Sequence, residues 1–324
     1  MKAVICNRFG DPEQLTIEEV VTPDLRAGDV RIQVKAAGVN FPDLLMVQGL
    51  YQMKPDFPFS PGLEVAGDVI EVGAGVEHLA VGDRVMGIVN YGGFAEEVVA
   101  PAAMTLAMPD NMSYEHGATF PIVYGTSHLA LAHRARLQAG ETLLVLGAAG
   151  GVGLTAVELG KLMGATVISA ASTPEKRALT TEYGADYAID YVNDDLRGQV
   201  KALTNGRYAD VVYDPVGGAA FTTAVRCLAW EGRYLVIGFA SGNIPEVAVN
   251  RFLIKNTSLV GVYWGAYALN APNVMQQSFK TLLTWYAEGK LKPHISQRFD
   301  LEQAPDALKQ VQLRQAQGKL VIIP

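Results

Sequence analysis

Residues 142–153 read TLLVLGAAGGVG, an apolar run that breaks into clustered glycines. Leu143, Leu144, Val145 and Leu146 give the continuous apolar stretch of a strand buried on both faces, and residues 154–163 continue with helical spacing. A strand that turns through glycines into a helix leaves the first N–H groups of that helix facing the turn. Such an end attracts an anion, above all a pyrophosphate. Gly150 lets the backbone approach the phosphates, Gly153 lets helix and strand pack closely, and Ala149, Gly151 and Val152 complete the turn. The pattern departs from GxGxxG at Ala148, where the first glycine would stand; Gly147, just before it, supplies the unusual backbone angles.

The surroundings of this turn repeat its logic. TVISA at 166–170 reads as a second strand, residues 174–183 as a helix, and residues 187–190 as a third strand. The series goes on through DVVYD at 210–214, RYLVI at 233–237 and residues 259–263, which makes about six strands of a doubly wound parallel sheet. Before residue 120 the pattern is different. Short alternating or β-branched runs at 15–21, 30–36, 64–72 and 84–89 are separated by turn residues, as in a small β-barrel. After residue 263 the spacing predicts helices at 274–288 and 303–315 and a closing strand at 319–323. A terminal strand needs a sheet to satisfy its backbone groups, so it is expected to return to the first domain. The resulting division is 1–120, an inserted 121–262, and a return at 263–324.

A chain of 324 residues accommodates two ordinary domains. Its apolar stretches are broken by charge, glycine or proline well short of the roughly 20 residues that span a bilayer, and a cytoplasmic protein without a membrane partner is expected. The formal charge of −7 and the lack of a long basic run argue against nucleic acid as a partner. Two cysteines far apart and in different expected domains, Cys6 and Cys227, argue against a disulfide framework and a cysteine-rich metal site.

The segments AAGVNFPDLLMVQGLY (36–51), FPFSPGLEVAGDV (57–69), GGFAEEVVAP (92–101), YGTSHLAL (124–131), LGAAGGVG (146–153), DPVGG (214–218) and LAWEGRYLVIGFASGNIP (228–245) resemble the zinc-free quinone oxidoreductase branch of the medium-chain dehydrogenase/reductase superfamily. The resemblance covers nearly the whole chain. It implies a GroES-like β-barrel domain carrying an inserted Rossmann domain, in agreement with the pattern above. Metal-dependent relatives place a Cys near the position of Asn40 and a His near that of Leu63, then add a four-cysteine loop. None of these ligands is present, and the five histidines, His78, His116, His128, His133 and His294, are scattered, so no metal is expected.

Without a Lewis acid to stabilise an alkoxide, the expected hydride acceptors are quinones and other conjugated carbonyls, whose incoming charge spreads onto oxygen. The resemblance places Asn40 and Tyr51 along the substrate cleft as hydrogen-bond donors, with Thr126 beside the nicotinamide. A turn role for Asn40, in VNFPD, is equally open. Many quinone oxidoreductases carry a further tyrosine where this chain has Leu44, Leu45 and Met46. The cofactor is expected to be NADPH. NAD enzymes place an acid after the second strand, whereas this chain reads Ser169-Ala170-Ala171-Ser172-Thr173. By resemblance Lys176 and Tyr191 contact the 2′-phosphate, with Ser172 adding a hydrogen bond. Gly217, Gly238, Phe239 and Ala240 are placed around the nicotinamide in the same way. An enoyl or enal reductase shares this chemistry, and some relatives are crystallin-like or RNA-binding. A homodimer is expected through an edge strand at 259–264, which would cover Tyr263 and Trp264.

Overall fold

The computed structural model describes residues 1–324. The chain divides into two compact units, one formed by Met1–Ile122 and Leu283–Pro324 and the other by Val123–Leu282.

In the first unit, β1 (Lys2–Ile5) and β2 (Thr16–Glu19) form a two-stranded antiparallel ribbon. The main sheet holds β3 (Asp29–Val39), β4 (Glu64–Val72), β5 (Arg84–Ile88), β6 (Glu97–Pro101) and β7 (Thr105–Ala107). In β3 the buried residues Val30, Ile32 and Val34 alternate with polar ones until Ala36, after which Ala36–Val39 is buried throughout. Alternation suits a half-exposed barrel wall, and the continuous stretch marks where a second layer covers the strand.

The second unit is a six-stranded parallel sheet. Its strands are β8 (Thr142–Leu146), β9 (Thr166–Ala170), β10 (Tyr187–Ile189), β11 (Ala209–Asp214), β12 (Leu228–Val236) and β13 (Ser258–Gly261), in the order β10-β9-β8-β11-β12-β13. All five residues of β8 are buried, as a central strand covered on both faces requires. The order reverses between β8 and β11, and in such sheets ligands bind beyond the strand ends at that reversal.

The last two strands, β14 (Ile295–Asp300) and β15 (Lys319–Ile323), belong to the first unit. β15 pairs antiparallel with β3, Leu320 opposite Val39 and Ile322 opposite Ala37, so the closing strand does return to the barrel sheet. β14, which pairs parallel with β15, lacks the apolar alternation that would announce it.

The second junction falls at 282/283, inside the helix Pro272–Ala287, where sequence placed it at 262/263. The physical reason is the packing of that helix's first turns. Phe279 meets Trp264 edge-on at 6.1 Å, and Ser278 hydrogen-bonds His128 at 2.7 Å. The edge expectation also needs a correction. β13 ends at Gly261, and Trp264 is already buried beside Gly125 and Phe279, so of the large apolar side chains at 259–264 only Leu259 and Tyr263 are exposed. No helix is long and apolar enough to cross a membrane.

Candidate functional site

The glycine turn after β8 sits at the strand-order reversal. Gly147 has φ +55°, and a side chain there would meet the Val216 Cγ2 at 2.8 Å. Gly153 lies so close to Gly147 that a Cβ would collide with its carbonyl oxygen. Gly150 is the N-cap of the helix Gly151–Leu162 and offers no side chain to cap it. The first-turn N–H groups of Gly151, Val152 and Gly153 therefore lack the usual side-chain acceptor and suit an anion. Ala149 is buried beneath the turn with Leu154, Ala171 and Leu179.

Beyond β9 the chain runs Ala171-Ser172-Thr173 into the helix Pro174–Glu182, with no acid at the strand end. This helix is capped by Thr173, whose hydroxyl accepts from the Lys176 N–H at 3.3 Å. Ser172 and Lys176 are both half-buried, and burial holds the Lys176 ammonium below its ordinary value. An anion at this position would restore what desolvation takes away. Arg177 is committed elsewhere: it binds Asp190 at 2.9 Å and the Ala171 carbonyl at 3.3 Å, fixing the segment that carries Tyr191. The Asp190 carboxyl also accepts from Val192 and Asn193, which pull it down to about 2.

Thr126 is buried in the helix Pro121–His128. Its neighbour Ser127 ties that helix to the nucleotide turn. The Ser127 hydroxyl donates to the Val152 carbonyl at 2.9 Å and lies 2.8 Å from the Thr155 hydroxyl and 2.9 Å from that of Tyr213. Gly217, with φ +66°, closes the loop after β11 as the N-cap of the helix Gly218–Ala224. Gly238, Phe239 and Ala240 form the loop after β12, and the Ala240 N–H donates to the Pro215 carbonyl at 3.0 Å. The two loops are thus in contact.

In the barrel unit, Asn40 caps the helix Phe41–Val47 and is buried. Its amide donates to Glu64 Oε1 at 2.9 Å and to the Gly38 carbonyl at 3.4 Å, and its carbonyl accepts from Lys319 Nζ at 2.6 Å. Lys319 donates further to Glu64 at 2.9 Å and to the Val39 carbonyl at 2.7 Å, which uses all three of its protons. The second Glu64 oxygen accepts from the Ile122 N–H at 2.9 Å. Asp43 takes the Asn40 N–H at 2.7 Å on one oxygen, while its other oxygen is buried without a partner. Burial pushes the Asp43 carboxyl up to about 7, against the pull of the Asn40 N–H and the Lys319 charge. Tyr51 is half-buried against the barrel core just beyond this helix.

Asn40 is thus the N-cap of the helix Phe41–Val47, with both amide protons engaged by Glu64 and Gly38. Glu64, Asp43 and Lys319 were missed. The only local signal for Glu64 and Lys319 was a charge as the first residue of a strand, Glu64 before VAGDV and Lys319 before the apolar LVII. Nothing local shows that these two charges meet.

Neither the Asn40 amide, already bonded to Lys319, nor the Leu63 side chain fits zinc. No three His, Cys, Asp or Glu side chains are grouped to hold a metal ion. His128, pushed down to about 4 by burial, bonds Ser278, and His116 bonds the Tyr286 hydroxyl at 2.8 Å. Burial pushes the Cys227 thiol up to about 12, which leaves it unreactive at neutral pH.

Two family profiles match the chain: the alcohol dehydrogenase GroES-like domain over residues 26–110 and the zinc-binding dehydrogenase family over residues 151–288. The quinone oxidoreductase-like protein 2 homolog of Nematostella vectensis is 42% identical over 99% of this chain and 88% of its own length. Among solved structures, Escherichia coli quinone oxidoreductase complexed with NADPH superposes with a TM-score of 0.93 at 28% identity, covering 100% of both chains. A mycobacterial protein complexed with NADPH gives 0.94 at 30% identity, again over 100% of both chains.

Proposed function

The chain belongs to the zinc-free quinone oxidoreductase-like branch of the medium-chain dehydrogenase/reductase family, and on that premise we propose that this oxidoreductase reduces quinones or related conjugated carbonyls with NADPH. When bound, NADPH supplies a hydride from its nicotinamide ring. The glycine turn and the uncapped start of Gly151–Leu162 hold the pyrophosphate. Lys176, with Ser172 and Tyr191, holds the 2′-phosphate, and Thr126, Gly217 and Gly238–Ala240 confine the nicotinamide. The observation that carries the cofactor assignment is the acid-free end of β9 followed by a half-buried lysine. An acid there would repel the extra phosphate and bind a free ribose hydroxyl instead.

Because Asn40 is tied to Glu64 and Lys319, we assign it the role of fixing the helix 41–47, and Tyr51 that of donating a hydrogen bond to the acceptor oxygen. Tyr51 would stabilise the negative charge that reduction leaves on the acceptor oxygen, and the balancing proton would come from water. Since that charge is delocalised, positioning contributes more than acid catalysis. Leu259, 45% exposed on the edge strand β13, and Tyr263, 58% exposed just beyond it, support a homodimer joined at that edge. Light scattering at micromolar concentration reads this directly, and a monomer would overturn it.

Cofactor titration tests the central assignment. NADPH is expected to bind at least about tenfold more tightly than NADH, roughly 1.4 kcal/mol, which one charged contact supplies. Equal affinities would overturn the roles of Ser172, Lys176 and Tyr191.

A further inference from the structure

We propose that Asp214 is a positioning residue of the cofactor site, clamping the loops after β11 and β12 at the one spacing that admits the nicotinamide half of NADPH. This rests on the cofactor reading above and adds a residue to it.

Asp214 ends β11 and is 2% exposed. One carboxyl oxygen accepts from the Val216 N–H at 2.7 Å and the Gly217 N–H at 2.9 Å. The other accepts from the Tyr234 hydroxyl at 2.6 Å. Its backbone carbonyl accepts from the Ile237 N–H at 2.9 Å and reaches the Gly238 N–H at 3.4 Å. One residue thus gathers donors from the strand β12, from the loop at 215–218 and from the start of the loop at 237–240. The loops are then joined along their length: Ala240 N–H to the Pro215 carbonyl at 3.0 Å, Ser241 N–H to the Val216 carbonyl at 2.9 Å, and Gly218 N–H to the Asn243 carbonyl at 3.0 Å.

The chemistry favours a specific purpose over a generic turn. A carboxylate is costly to bury, and no cation bonds this one. Three donors pointing at its side chain compensate for the desolvation, and burial still holds the carboxyl above its ordinary value. What the carboxylate secures is the conformation of Gly217 and Gly218, both at positive φ (+66° and +57°), beside a turn in which Val216 closes on Gly147. Without the clamp, the loop at 215–218 is free to leave both the Gly147 turn and the loop at 237–240. The acceptor-only carboxylate matches three donors, but an amide can serve too. An asparagine oxygen can keep both N–H groups while its nitrogen donates to the Tyr234 oxygen.

The test separates the two ends of the cofactor. Kd is measured by titration for NADPH and for 2′,5′-ADP, which carries the adenosine phosphates but no nicotinamide. Asp214→Ala is expected to weaken NADPH at least about tenfold and to change 2′,5′-ADP less than about twofold, while Asp214→Asn restores most of the NADPH affinity. Tyr234→Phe keeps the buried ring and removes only the hydroxyl. It is expected to weaken NADPH about threefold with 2′,5′-ADP unchanged, and it decides the matter if Asp214→Ala does not fold. Equal weakening of both ligands, or no weakening of NADPH in the folded variants, overturns the proposal. The unmodified protein's own NADPH titration reads the cofactor assignment separately.

Discussion

Two helix starts in this chain are built in opposite ways. At Gly150 the helix begins without a capping side chain, so its first N–H groups remain for a ligand. At Asn40 the helix begins inside a cluster where amide, ammonium and carboxylate bind one another. The first arrangement leaves polar groups unfilled at a strand-order reversal, which is how a site for an anion looks. The second satisfies nearly everything it contains, which is how a structural fastening looks. On the proposed function, cofactor recognition rests on the uncapped helix start, and the residues of the ionic cluster serve the fold.

If this contrast is right, damage to the open turn should dominate every other effect. Gly153→Val forces a side chain onto the Gly147 carbonyl and should weaken NADPH on the order of a hundredfold or more, as read by titration of the folded variant. A milder result would mean that the turn is not the pyrophosphate seat. Next in size, Lys176→Glu should abolish or reverse the NADPH preference, a change of about tenfold or more in the ratio of the two affinities. An unchanged ratio would return this lysine to the status of a solvated helix residue.

The closed cluster predicts a pH effect rather than a loss of activity. Asp43 is held near 7 in the folded chain and titrates at an ordinary carboxyl value when unfolded. Between about pH 4 and 7 the folded state keeps a proton that the unfolded state has released, so stability falls as pH rises through that window. Asp43→Asn, neutral throughout, should flatten this slope in melting temperature against pH. A slope identical in the variant would show that the buried oxygen finds a partner in solution. Smallest of all, Tyr51→Phe should cost less than about tenfold in kcat, since a single donor to a delocalised oxyanion contributes modestly. A loss of a thousandfold would make Tyr51 the proton donor and shift weight from positioning to acid catalysis.

The contrast also explains what could be read in the sequence. β4, β9 and β15 fall where pattern alone placed them, because each combines β-branched alternation or a short apolar run with turn residues at both ends. Gly147 and Gly153 were legible because a missing side chain is a local property with a local cause. Glu64 and Lys319 were not, since their meaning lies in a pairing across 255 residues that only the return of β15 to the barrel sheet creates. For the same reason Arg177 reads as a charge on a helix face until Asp190 is seen against it. Trp264 reads as part of an exposed edge until Gly125 and Phe279 are found beneath its ring.

The most direct measurement is a comparison of acceptors. NADPH oxidation by the purified protein is followed with a para-quinone, an ortho-quinone, a 2-alkenal, an enoyl-thioester and a simple ketone, before and after exhaustive chelation. The account predicts that oxidation requires an added acceptor, that kcat/KM is highest for a quinone, and that chelation changes nothing. Efficient reduction of the enoyl-thioester with inert quinones, or activity that vanishes on chelation and returns with zinc, would contradict it.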